Sequence, residues 1–164
     1  MGLYGKEKRT NPDNVKSRAG HVMLLNGCPI IWSSKLMQTV ALITMTAEYY
    51  ALSAAMEEVL PLLEVIKSVS HGFGLDQDVL TDFKTTVWED NMGALTLALN
   101  EPGQHTVRSK FYDVRVHWFR EHLHAPNSNI TVEKIDTKQQ LADLFTKPLP
   151  REPFERLRKE LMRW

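Results

Sequence analysis

Cysteine is nearly absent: Cys28 stands alone among 164 residues, so no intrachain disulfide can staple the fold and a reducing compartment is the default. Long apolar runs are missing too. The most apolar stretch, from Thr44 to Val69, is broken by Glu48, Glu57, Glu58, Glu64 and Lys67, which excludes the run of about 18 apolar residues a membrane-spanning helix needs. No charged-then-apolar leader opens the chain, so an intracellular location, cytoplasmic or nuclear, is expected. Glycine-rich phosphate loops, internal repeats and low-complexity tracts are likewise missing. Net charge is zero, with 20 basic and 20 acidic residues, and gives no global sign of a polyanionic partner.

The distribution of charge says more. Residues 1–18 hold five basic and two acidic side chains, 19–104 hold three and ten, and 105–164 hold twelve and eight. An acidic middle between basic ends sets carboxylates beside a rim able to bind a polyanion, the arrangement a metal-dependent nuclease requires; charges scattered over a solvated surface account for the same counts. With 43% apolar residues, the chain can build one ordinary core.

Residues 1–19 are polar and turn-rich and read as an N-terminal arm, with the folded domain over 20–164. Asn26-Gly27 between two short apolar runs predicts an antiparallel hairpin. Leu52, Ala55, Met56, Val59, Leu63 and Ile66 recur at spacings of three and four, predicting a helix from Met45 to Val69 in which Pro61 causes a kink or a break near Leu60. Thr85–Glu89 reads as a strand leading into a short helix over Met92–Leu99. Val107–His122 carries helical spacing, Ile130–Ile135 alternates as a strand, and Thr137 with Gln140 fits a capping box for a helix beginning at Lys138. Pro150–Met162 is amphipathic, with Phe154, Leu157 and Leu161 on one face. The pattern is α/β with mixed strand directions.

Three carboxylates hold unusual places. Glu48 lies in the expected first turn of the long helix, Asp90 where a strand hands over to a helix, and Asp143 inside the apolar run Leu141–Phe145. If the helices flank the strand end, the three converge, and clustered carboxylates call for hard cations such as Mg²⁺ or Mn²⁺ to hold them ionised. Each also has a purely structural explanation: helix-dipole partner, N-cap and surface residue.

Several segments resemble, in order, the ribonuclease H domain of copia-type LTR retrotransposon Pol polyproteins. They are Lys16-Ser17-Arg18-Ala19-Gly20, Gly27-Cys28-Pro29-Ile30-Ile31-Trp32-Ser33-Ser34-Lys35, Thr46-Ala47-Glu48-Tyr49-Tyr50-Ala51-Leu52-Ser53, Trp88-Glu89-Asp90-Asn91, Arg108-Ser109-Lys110 with Asp113-Val114-Arg115, and Leu141-Ala142-Asp143-Leu144-Phe145-Thr146-Lys147-Pro148-Leu149. The resemblance covers roughly residues 15 to 160. It implies a ribonuclease H-like fold, a mixed sheet flanked by helices, and hydrolysis of the RNA strand of an RNA/DNA hybrid by a two-metal mechanism with Mg²⁺ or Mn²⁺. Glu48, Asp90 and Asp143 then stand at three of the family's four metal-binding carboxylates. Lys16, Arg18, Arg108 and Lys110 become the expected phosphate contacts, and the reverse transcriptase domain of the same polyprotein an expected partner.

The departures carry as much. The family's first catalytic aspartate, on its first strand, has no counterpart here, because no aspartate precedes Asp13. That strand is expected to be largely missing and the two-metal site incomplete, with catalysis weak or absent. A non-catalytic nucleic-acid or protein-binding module and a non-functional retroelement relic are the alternatives. His117, His122 and His124 are not spaced to share a metal from one helix face, and a surface or half-buried role is expected for them. Trp32, Trp88 and Trp118 read as core, and Cys28 as a small buried residue near a turn.

Overall fold

The computed structural model describes residues 17–37, 44–74, 83–102, 104 and 117–163. The architecture is mixed α/β, with small sheets and helices. The chain divides into two compact units, one formed by Met1–Ala47 with Leu141–Trp164 and the other by Glu48–Gln140.

The first unit is built on a hairpin of β1 (Arg18–Leu25) and β2 (Cys28–Leu36), with His21 facing Ser33 and Leu25 facing Cys28. Asn26 and Gly27 both adopt positive φ, 49° and 77°, the backbone that a two-residue hairpin turn requires and that these two residue types adopt at least cost. The strand begins at Arg18, earlier than expected from composition, because Arg18 Nη1 donates to Ser34 O and Oγ across the ladder at 3.0 and 3.2 Å and Met37 N donates to Ser17 O at 2.9 Å. The rest of the expected arm, residues 1–16, lies outside the described residues.

Two short helices complete this unit: α4 (Asp143–Thr146) and α5 (Arg151–Met162). Gly20 lets α4 lie directly on β1, since a Cβ there would stand 2.9 Å from both Phe145 Cβ and Thr146 Cγ2. Ser34 Oγ donates to Phe145 O across the same junction. Along α5, Leu157 and Leu161 are buried one turn apart, while Arg151 and Glu155 pair at 2.7 Å on the wet face.

In the second unit, α1 (Thr44–Gly72) presents Tyr49, Leu52, Ser53, Ala55, Met56 and Val59 to the core. It runs unbroken through Pro61, against the expected break. The carbonyl that loses its donor there belongs to Glu57, an exposed residue, where water can replace the missing bond. The strands β3 (Thr85–Glu89) and β4 (Ile130–Lys134) pair in parallel, Thr85 beside Ile130 and Glu89 beside Lys134. Between them come α2 (Met92–Leu99), whose Ala94, Leu95, Leu97 and Ala98 are buried, and α3 (Arg120–Leu123). Helix α2 packs on both strands, and α3 on α2 and β4.

Several expectations are corrected. Among the described residues the strands form one antiparallel and one parallel two-stranded sheet, one in each unit. Most of the helix expected over 107–122 lies outside the described residues; within them, 117–119 form a turn and the helix is α3. After β4 a 3₁₀ turn, Thr137–Gln139, replaces the expected helix, capped by Asp136, whose Oδ1 accepts from Lys138 N at 2.8 Å. Gln140 Nε2 donates to Trp88 O at 3.1 Å. Cys28 is exposed, and Trp32 and Trp88 are 63% and 49% exposed, because each of these small sheets leaves part of a face open.

Candidate metal centre

Strand β3 alternates so that Thr85, Val87 and Glu89 share the inward phase, and the last of these is an acid. Glu89 is 6% exposed. Its Oε1 accepts a hydrogen bond from Asn91 N at 2.8 Å, while Asn91 Oδ1 caps α2 by accepting from Gly93 N at 2.9 Å and Ala94 N at 3.1 Å. The turn that carries Asp90 is thus tied down at successive peptides. Gln140 holds Trp88 O, Ile135 N donates to Glu89 O at 3.1 Å, and Lys134 Nζ donates to Asp90 O.

Glu48 comes to the same place from α1. One carboxylate oxygen from each of Glu48, Glu89 and Asp90 lies within 4.8 Å of the others, with Glu89 buried and its neighbours half-buried. Burial pushes the Glu89 carboxyl up from an ordinary 4.5 to about 7; the Asn91 N–H opposes this, the negative charges of Glu48 and Asp90 add to it, and the Lys134 ammonium opposes it. Because α1 begins at Thr44, Glu48 lies past the first turn, and the helix-dipole explanation for its position falls away. Asp90 is not the cap of α2, a task done by Asn91.

Two of the three carboxylates picked out from the sequence, Glu48 and Asp90, therefore meet. Asp143 belongs to the first unit, where it opens α4 with its side chain 14% exposed and Oδ2 2.8 Å from Lys147 Nζ. Glu89 was not singled out, although it stands in the quoted Trp88–Asn91 segment; an ionisable residue in the inward phase of an apolar strand is the signal that marks it.

A set of three carboxylates with no thiolate or imidazole suits a hard divalent cation such as Mg²⁺ or Mn²⁺. Like charges this close are costly unless a proton or a cation offsets them; the Glu89 carboxyl is raised first by its burial, with the charges of Glu48 and Asp90 adding to it. The donor set fits such an ion.

Arg18 is exposed and bonded along the hairpin; Lys16, Arg108 and Lys110 lie outside the described residues. His117 is buried, contrary to expectation, with Nδ1 2.9 Å from Tyr49 Oη. His122 sits against the Trp118 ring and His124 is 3.6 Å from Glu101. Among the described residues these histidines form no metal-binding group.

No protein-family model matches the chain, and no solved structure matches it. Among curated proteins it is 36% identical over 150 residues to the Retrovirus-related Pol polyprotein from transposon TNT 1-94 of Nicotiana tabacum, covering 92% of this chain and 10% of that protein. It is 28% identical over 173 residues to the Transposon Ty1-NL2 Gag-Pol polyprotein of Saccharomyces cerevisiae, covering 94% and 9%. The chain thus spans about a tenth of the length of the curated relatives it matches. This similarity supports a retrotransposon-derived domain.

Proposed function

We propose that the chain is a ribonuclease H-like domain of a retroelement polyprotein, directed at the RNA strand of an RNA/DNA hybrid, with Mg²⁺ or Mn²⁺ held by Glu48 and Asp90. The observation that carries this reading is the approach of those two carboxylates, from different elements, to within 4.8 Å of one another and of Glu89. Both stand at positions that the family resemblance assigns to metal ligands, and the similarity to retrotransposon polyproteins supports the same origin.

A divalent ion bound there would act as a Lewis acid and lower the pKa of a bound water, the source of the attacking hydroxide in hydrolysis. The chain's own part is positional and electrostatic. Asn91 N–H holds Glu89 Oε1, which leaves Oε2 as the place for a proton while the site carries only its own carboxylates. The three side-chain ties on Trp88–Asn91 fix the path of Asp90, and α1 brings Glu48 to it. Asp143 enters this reading through its motif position alone. Lys16, Arg18, Arg108 and Lys110 are the residues proposed to meet the hybrid's phosphates, and a reverse transcriptase domain is the proposed neighbour in the polyprotein, inside the cell.

The test is Mn²⁺ uptake by the 164-residue chain, followed by electron paramagnetic resonance, together with cleavage of a labelled RNA/DNA hybrid. Uptake is expected in the wild type and is lost in Glu48→Gln and in Asp90→Asn, with any hydrolysis lost alongside. A chain that takes up no Mn²⁺, or hydrolysis that persists in Asp90→Asn, overturns the reading.

A further inference from the structure

Glu48 and Asp90 are carried by elements far apart in the chain, so something must set the distance between them. The segment 117–120 contacts both elements. On one side His117 Nδ1 and Tyr49 Oη share a hydrogen bond of 2.9 Å, and Trp118 Nε1 donates to Ser53 Oγ at 3.2 Å. Tyr49 and Ser53 are one helical turn apart on α1, and Tyr49 is the residue next to Glu48. The Tyr49 ring also lies 5.4 Å from the His117 ring and 5.5 Å from that of Phe119. On the other side Arg120 Nη1 donates to Leu97 O at 3.4 Å, on α2, the helix that begins just after Asp90. The same Nη1 reaches Gln104 O at 3.2 Å.

Tyr49 and Arg120 are each 1% exposed and Phe119 is fully buried. Buried polar groups of this kind are costly to leave unmatched, so each bond holds its partner in one geometry. We propose that His117 is a positioning residue: through Tyr49 it fixes the rotation of the N-terminal turns of α1, and together with the bond from Arg120 to Leu97 O of α2 it sets the Glu48–Asp90 spacing that a divalent cation needs. This rests on the metal reading above. Its part is to act through Tyr49, whose Oη lies 2.9 Å from His117 Nδ1.

Two readouts on the 164-residue chain test it: Mn²⁺ affinity by electron paramagnetic resonance, and amide hydrogen exchange along α1. Tyr49→Phe, which removes only the hydroxyl, and His117→Phe are expected to weaken Mn²⁺ binding roughly three- to tenfold, the loss of one buried hydrogen bond. Exchange should rise at Tyr49–Ser53 while Leu62–Ser70 is unchanged. His117→Asn, which keeps a hydrogen-bonding group near the Nδ1 position, restores most of the affinity; a role in packing alone would not be rescued in this way. Wild-type affinity in Tyr49→Phe, with Glu48→Gln still abolishing uptake, overturns the proposal and leaves the metal reading intact. If the wild type takes up no Mn²⁺ the metal reading falls by itself, and unchanged exchange at Tyr49–Ser53 in Tyr49→Phe then overturns the positioning role independently.

Discussion

Replacing Glu89 by glutamine is the perturbation that most directly probes the acidic cluster. Burial, with Glu48 and Asp90 adding to it, raises the Glu89 carboxyl from 4.5 to about 7 in the folded chain. Its folded-state value lies above its unfolded one, so the native state holds a proton that the unfolded state has released between those two pH values. Stability then falls as pH rises, by about 1.4 kcal/mol per pH unit across that window. The contribution is fully present below pH 4.5 and lost once pH passes about 7, a total of roughly 3 kcal/mol. Glutamine keeps an oxygen for the Asn91 N–H and has no proton to lose. In urea unfolding, Glu89→Gln should match the wild type near pH 4.5 and exceed it by about 2–3 kcal/mol near pH 8. Parallel wild-type and variant stabilities from pH 4.5 to 8.5 would refute the argument. Millimolar Mn²⁺ should shrink the difference, because a cation favours the ionised carboxylate.

Three further substitutions test the packing. Gly20→Ala would force a methyl against Phe145 and Thr146 at 2.9 Å, and thermal unfolding should show a loss of about 1–3 kcal/mol; an unchanged Tm would mean that α4 does not rest on β1. Pro61→Ala restores a backbone bond inside α1 and should stabilise the chain by up to about 3 kcal/mol, read as a Tm several degrees higher. A lower Tm would show that the proline is required. Leu157→Ala empties a buried site on α5 and should cost about 2–5 kcal/mol by urea unfolding, whereas the exposed Phe154→Ala should cost far less.

What the sequence revealed of the fold was what nearest neighbours decide. The Asn26-Gly27 turn, the helical stripe from Leu52 to Val59 and the strand Thr85–Glu89 each follow from residues a few positions apart, and each is observed. The errors came where distant contacts override local preference. Of the kink or break expected near Leu60, the break is absent: α1 continues through Pro61, and the residue whose carbonyl loses its donor, Glu57, is an exposed one. The helix expected from Lys138 is a 3₁₀ turn at Thr137–Gln139, and the Gln140 side chain holds Trp88 O, fifty-two positions away. Trp32 and Trp88 were assigned to the core on residue type, which cannot reveal that two-stranded sheets leave faces uncovered. In the acidic cluster, the motifs single out Glu48 and Asp90, whose carboxylates meet, and not Glu89, which joins them because the fold buries it beside them.

The cluster also explains where this part of the chain concentrates its fixed geometry. Three carboxylates in one place oppose folding, and left mobile they would separate to lower their repulsion. Instead the Trp88–Asn91 turn is bonded at each of its residues, Asn91 caps α2, and His117, Trp118 and Arg120 bond to α1 and α2 from a largely buried segment. On the metal reading proposed above, such restraint is what the site would need, because ligands held close in advance would spare an ion the cost of gathering them.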